Sequence, residues 1–249
     1  MKCTIITLFP NMFRGFLEES IVQRAQEMGK IEIEFVNPRD FTFDAHKTVD
    51  DRPFGGGAGM VMMVEPISQA IKSAKTENSY VVGTSARGKT FTQKMAQEFS
   101  DKEHLIILAG HYEGYDERVR ELLDDEVSLG DFILTGGELA AACIIDAVAR
   151  LQKGVLKKDA ATEEESFFTV AIDEIMKAVG DDSLLEAMKK NGATNIQLLE
   201  YPQYTRPQDH GGRVVPDVLV SGDPKKIRIW QLQQAYAITK KARPDLLTS

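Results

Sequence analysis

Between Leu105 and Leu139 the chain reads LIILAGHYEGYDERVRELLDDEVSLGDFILTGGEL. One apolar run, Leu105 to Ala109, ends at Gly110 and leads into His111-Tyr112-Glu113-Gly114. A second, Val127 to Leu134, is interrupted at Gly130-Asp131 and ends at Gly136-Gly137. Buried strands that feed glycine-edged loops can do the chemistry of a backbone cradle. Glycine tolerates positive φ and lets a ligand reach main-chain N–H and C=O groups. A third polar loop, Thr84-Ser85-Ala86-Arg87-Gly88-Lys89, follows the short strand-like run Tyr80 to Gly83. Loops of this kind at strand ends predict a small-molecule pocket in an α/β domain. The same spacing also fits ordinary strand-to-helix turns. Neither G-x-G-x-x-G nor G-x-x-x-x-G-K-[ST] occurs, which disfavours a dinucleotide oxidoreductase or a P-loop protein.

A second stretch with chemical content is Pro38 to Gly59, PRDFTFDAHKTVDDRPFGGGAG. It lacks periodicity and carries Arg39, His46, Lys47 and Arg52 among Phe41, Phe43 and Phe54. With Gly55-Gly56-Gly57 as a hinge, it suits a lid that closes on a substrate. Met60, Met62 and Met63 behind it suit packing. The histidines, His46, His104, His111 and His210, are scattered and give no zinc spacing.

The elements that must position these groups follow from pattern. Strands are expected at Lys2 to Phe9, Ile31 to Val36 and Tyr80 to Gly83. Helices are expected at Asn11 to Met28, Glu65 to Ser73, Phe91 to Phe99 and Glu138 to Leu151, the last ending beside Arg150, a cation suited to a helix C-terminus. This alternation predicts a mainly parallel sheet covered on both faces. Further on, Phe167 to Ala178 and Ser183 to Lys190 read as helices and Ile196 to Tyr201 as extended. Asp223 to Lys241 reads as a helix capped by Asp223 with Pro224 at its first position.

The 249 residues carry a formal charge of −8, which argues against a non-specific nucleic-acid coat. The charge is uneven: residues 163–200 hold nine acidic and three basic side chains, residues 207–249 seven basic and four acidic. A locally basic tail can still bind nucleic acid. No apolar stretch approaches the ~18 residues of a membrane span. Cys3 and Cys143 form no redox or metal spacing, and the chain opens directly on a strand-like run, so a cytoplasmic setting is expected.

The blocks TLFPNMF, PRDF, TVDDRPFGGGAGMVMM, GHYEGYDERV, SLGDFILTGGEL, IIDAVAR, GVL, EESF, PQYTRP, VPDVLVSG and RPDLL stand in this order. In them the chain resembles the bacterial tRNA (guanine-N1)-methyltransferases, the SPOUT-class TrmD family, everywhere outside about residues 169–198. The resemblance implies an α/β fold with a parallel sheet and a trefoil knot, plus a small mainly helical C-terminal domain. The organisation it implies is a knotted S-adenosylmethionine domain (1–162), an acidic linker with a helical insertion (163–200) and a tRNA-binding domain (201–249). It implies a homodimer with an interfacial active site, the tRNA anticodon arm as partner, and methylation of guanine N1 on the 3′ side of the anticodon. Some members of the family respond to magnesium, and the sequence shows no dedicated carboxylate cage for it.

By the same resemblance, the cofactor loops are Thr84, Ser85 and Ala86; Gly110, Tyr112 and Gly114; then Ser128, Leu129, Gly130, Asp131, Phe132, Ile133 and Leu134, closing with Gly136 and Gly137. Glu113, Asp50 and Arg52 are expected on the substrate. Guanine N1 must lose a proton and charge builds on O6, so the reaction needs a carboxylate base and a cation. Glu165 and Arg150 take these roles by resemblance, with Glu164 as the neighbouring alternative in the Glu163-Glu164-Glu165 run. The family carries aspartate at the base position; Ala86, His111, Phe132 and Gln231 stand where proline, arginine, tyrosine and arginine are usual. The alternative reading is a tRNA- or cofactor-binding relative with impaired catalysis.

Overall fold

The computed structural model describes residues 1–156 and 165–248, in two compact units that divide at Lys158/Asp159. The 162/163 boundary, Glu163 and Glu164 lie outside the described residues.

The first unit begins with β1 (Lys2–Ile6), a 3₁₀ turn, α1 (Arg14–Leu17), α2 (Ser20–Glu27) and β2 (Glu32–Val36). The single helix expected from Asn11 to Met28 is broken at Ser20, which takes φ +56°. The break re-aims the chain so that Phe13 and then Val22 and Ala25 reach the same core. Next come β3 (Asp50–Asp51), β4 (Val61–Met62), α3 (Val64–Ala74), β5 (Ser79–Thr90), α4 (Gln93–Ser100), β6 (His104–Leu108), β7 (Asp125–Ser128) and α5 (Glu138–Ala149).

Five strands form one parallel sheet in the order β2-β1-β6-β5-β7. β6 lies in the middle and all its residues are buried. Successive side chains of a strand face opposite ways. Accordingly Leu105 and Ile107 join the core under α2, α4 and α5, while Ile106 and Leu108 join the core under α3. Covering both faces is what a parallel sheet requires.

Two expectations about the site loops are corrected. The Thr84–Lys89 segment belongs to β5: pairing with β7 jumps from Thr84↔Val127 to Lys89↔Val127, leaving the residues between as a bulge. Gly88 allows this because a Cβ there would stand 2.5 Å from the Val127 backbone. The second apolar run stops being strand at Ser128, whose hydroxyl donates to the Gly130 carbonyl (3.1 Å) and accepts from the Gly130 N–H (3.2 Å). Phe132, Ile133 and Leu134 therefore lie in an exposed loop, Ile133 at 83%.

The second unit contains β8 (Phe168–Ala171), α6 (Ile172–Val179), α7 (Ser183–Lys190), β9 (Asn195–Leu198), a short hairpin of β10 (Asp209–His210) and β11 (Arg213–Val214), α8 (Asp217–Val220) and α9 (Pro224–Ala242). Residues 168–171, expected to start a helix, are a strand pairing antiparallel with β9. Thr169 and Val170 favour that state, and burial alternates along it. Segment 168–198 shares one hydrophobic core with Leu232, Ala235 and Tyr236 of α9. The Asp223 carboxylate caps α9 as expected, accepting from the Lys225 and Lys226 N–H groups at 3.0 and 3.3 Å.

Among the described residues no helix is long and apolar enough to cross a membrane.

Candidate functional site

At the C-terminal ends of β5, β6 and β7 the three glycine-edged loops converge on a cavity of about 380 Å³. This is within the ~300–1,000 Å³ range of small-molecule sites. Thr84, Ser85 and Ala86 line it from the β5 bulge, and Gly110, Tyr112, Glu113 and Gly114 from the loop after β6. Ser128, Leu129, Gly130, Phe132, Ile133, Leu134, Gly136 and Gly137 come from the segment between β7 and α5. Asp131, expected with them, is exposed and does not line the cavity.

One buried hydroxyl ties the loops together. Thr84 Oγ1 donates to the Leu108 carbonyl at 3.1 Å and accepts from the Gly110 N–H at 3.3 Å. The Gly137 N–H donates to the Gly110 carbonyl at 2.6 Å. Glycine is required at 137: a Cβ would overlap Thr84 Oγ1 and stand 2.9 Å from the Gly110 nitrogen. Tyr112 takes φ +56° and Gly114 φ +101°. A non-glycine residue held in the left-handed region stores strain, which concentrates at functional sites.

Six lining residues lie outside the sequence-based set: Arg87, His111, Tyr115, Arg120, Val127 and Ala140. Only His111 stands out in the sequence, as a departure from the family pattern. Tyr115 and Arg120 form a polar wall: the Tyr115 hydroxyl donates to Glu126 Oε1 at 2.7 Å, and Arg120 pairs with Glu117 (3.0 Å) and with Glu126. Burial pushes the Tyr115 phenol up to about 12, against the pull of Arg120 and Arg87, so it stays protonated at neutral pH. Nothing local in the sequence marks this wall; it is assembled from a 3₁₀ turn, Glu117–Leu122, and from β7.

Behind the cavity lies a buried carboxylate. Glu138, 1% exposed at the first position of α5, accepts from Thr7 Oγ1 at 3.0 Å, and its other oxygen lies 3.3 Å from His111 Nδ1. A negative charge at a helix N-terminus is favourable. The trio joins the end of β1, the loop after β6 and the start of α5. Truncating Glu138 to alanine is expected to cost about 1–3 kcal/mol, because Thr7 and His111 then face a buried hole without their acceptor. A denaturant titration of the purified variant measures this; an unchanged midpoint would contradict it.

Asp50 and Arg52 do not line the cavity, but a chain of contacts leads to it. Asp50 pairs with Met62 across β3 and β4, Met62 bridges to Tyr115, and the Glu113 N–H donates to the Met60 carbonyl at 3.0 Å. Gly59 abuts the Glu113 side chain so closely that a Cβ would come within 2.5 Å of it. The long loop thus ends against the residue expected to hold the substrate, with Phe43 and Phe54 fully exposed on it. Arg150 is the C-cap of α5. The cavity floor is at the other end of that helix, about 20 Å along the axis at 1.5 Å per residue. Glu165 belongs to the second unit, where its carbonyl accepts from the Phe168 N–H at 3.0 Å. Arg150 does not line the cavity of its own chain. Among the described residues no group of three or more His, Cys, Asp or Glu side chains could hold a metal ion.

A parallel sheet sandwiched by helices, with a glycine-edged cavity of small-molecule size at the C-terminal ends of its strands, defines a mixed α/β protein. The family model described as tRNA (Guanine-1)-methyltransferase TrmD matches residues 1–249, and the chain belongs to that family. The tRNA (guanine-N(1)-)-methyltransferase of Carboxydothermus hydrogenoformans is 50% identical over 248 residues, covering 99% of this chain and 87% of that protein. Proteins of the same name from Dictyoglomus turgidum and Clostridium botulinum (strain Eklund 17B) are 45% and 50% identical over 247 residues. Each alignment covers 99% of this chain, and 90% and 92% of the relative.

Proposed function

We propose that the protein methylates guanine N1 of tRNA, at the nucleotide 3′ to the anticodon, with S-adenosylmethionine as donor. The observation that carries this reading is the cavity walled by all three glycine-edged loops, in a chain that matches the family from end to end. The cavity suits the donor chemically. Its walls offer main-chain groups from the Leu129–Leu134 loop to an adenine edge, and its glycines leave room for close approach. When bound, the donor supplies an electrophilic methyl group.

The chain's own residues prepare the acceptor. Glu113, at the cavity rim beside Gly59, holds the guanine edge. The Glu165 carboxylate takes the N1 proton and the Arg150 guanidinium neutralises charge growing on O6. Since Arg150 is a helix length from its own cavity, the working site is proposed to form in a homodimer, with Arg150 of the partner subunit laid against the cavity. The exposed positions Leu139, Cys143 and Asp146 share a stripe of α5 with Arg150 and, with Ile133, suit such an interface. We infer a trefoil knot in the first unit from the family resemblance; the packing of the segment between β7 and α5 against the β5 bulge and the loop after β6 supports that reading. The second unit is assigned to the tRNA anticodon arm.

Purified protein with labelled S-adenosylmethionine and tRNA should yield 1-methylguanosine; cofactor binding without turnover would favour the catalytically impaired reading. The same assay with and without EDTA decides the role of magnesium. Glu165→Gln should lower turnover about 10²–10⁴-fold while leaving cofactor affinity unchanged. Full activity in this variant would remove Glu165 from the role of base.

A further inference from the structure

Helix α9 has two dissimilar flanks. Its buried stripe, Leu232, Ala235, Tyr236 and Thr239, packs into the core built with β8, α6, α7 and β9. That layer also takes up polar groups of α9. Glu174 accepts from Arg228 Nε at 3.0 Å, the Ala178 carbonyl from Gln233 at 2.7 Å, and Asp182 from Tyr236 and Lys240, both at 2.8 Å. Lys240 and Tyr236 hold the Asp182 carboxyl down to about 2 even though its burial pushes the other way, so this anchor is charged at any working pH.

The opposite flank carries Lys226, Trp230, Ala237 and Lys241. At 100° per residue these fall within about 60° of one another, and Lys226 and Lys241 are about 22 Å apart along the axis. Lys226, Ala237 and Lys241 are exposed. Lys226 has an exposed ion pair with Asp223 at 3.7 Å, of the kind that contributes little and yields readily to a phosphate. Tyr204, 49% exposed, lies beside Trp230 with ring centroids 6.3 Å apart and planes at 54°. An aromatic pair flanked by lysines is the composition that stacks unpaired bases and tracks a nucleic-acid backbone.

We propose that Tyr204 and Trp230 form a stacking platform for an unpaired base of the anticodon arm, with Lys226 and Lys241 on neighbouring phosphates. In this arrangement the β8-α6-α7-β9 layer withdraws Arg228 and Lys240 from RNA binding. The proposal rests on the tRNA reading above and assigns it a surface within the second unit. The 168–198 segment thereby decides which flank of α9 meets RNA.

Trp230 is the only tryptophan of the chain, so its emission reports the platform directly. The full-length protein is titrated into a fluorescently labelled anticodon stem-loop, with anisotropy and tryptophan emission followed together. Both should change with the same midpoint. Trp230→Ala should weaken binding on the order of tenfold and Trp230→Phe much less, because every base needs only a ring to stack on. Lys226→Ala and Lys241→Ala should each reduce the slope of log affinity against log salt by about 0.7, whereas Lys240→Gln should leave it unchanged. Anisotropy that rises while tryptophan emission stays constant would overturn the platform. A slope reduced by Lys240→Gln as much as by Lys226→Ala would overturn the division of flanks. Absence of any anisotropy change in the wild-type chain would fell the tRNA reading itself, and this proposal with it.

Discussion

Gly137→Ala is expected to abolish cofactor binding and with it methyl transfer. The added Cβ would overlap Thr84 Oγ1 and stand 2.9 Å from the Gly110 nitrogen. Neither neighbour is free to retreat. Thr84 is 5% exposed and its hydroxyl serves both Leu108 and Gly110, and Gly110 is bonded to Gly137 itself. Relief must come from moving one loop away from the others, which opens the cavity. Overpacking of this kind costs about 1–3 kcal/mol of stability, and displacement of a binding loop by ~1 Å costs about 10²-fold in rate. Calorimetric titration with S-adenosylmethionine, beside a thermal melt, separates the two losses. Gly137→Ala with wild-type affinity would show that the loops do not form the donor site.

Arg150→Ala is expected to lower turnover about 10²–10³-fold, the usual effect of deleting one preorganised donor to a developing oxyanion. Cofactor affinity should not change, since the proposed role of Arg150 is on guanine O6 and not on the donor. The distance of Arg150 from its own cavity yields a sharper test. Arg150→Ala and Gly137→Ala chains, each inactive alone, are unfolded, mixed and refolded together. If the partner subunit supplies the arginine, half the dimers are mixed and each has one intact site, so about a quarter of wild-type activity returns. If Arg150 serves its own chain, the mixture stays inactive.

Glycine spacing made the cavity legible. Gly136 and Gly137 are needed because His111, Glu138 and Thr84 crowd them, but Gly114 and Gly130 take positive φ for backbone reasons that act over a few residues, and local pattern exposes such needs. The cap of α9 was legible for the same reason: Asp223 and Pro224 act within one turn. What stayed hidden depends on distant partners. Thr84–Lys89 looks like a polar loop, yet it continues β5 because Val127, far along the chain, packs its backbone on Gly88. Glu138 looks like the acidic first residue of a helix, and only Thr7 and His111 make it a buried anchor. Phe132 to Leu134 look like strand core, but Gly130 turns the chain outward after β7. Residues 168–171 look like the start of an amphipathic helix until β9 arrives to pair with them. Arg150 and Glu165 are assigned by family resemblance alone, because no spacing relates either residue to the cavity.

The most direct measurement is mass spectrometry of nucleosides from tRNA incubated with the protein and S-adenosylmethionine bearing an isotopically heavy methyl group. Wild-type chain should place the heavy methyl on N1 of guanosine 3′ to the anticodon, and Gly137→Ala should place none there. Label on another atom or nucleoside, or equal labelling by both proteins, would contradict the account.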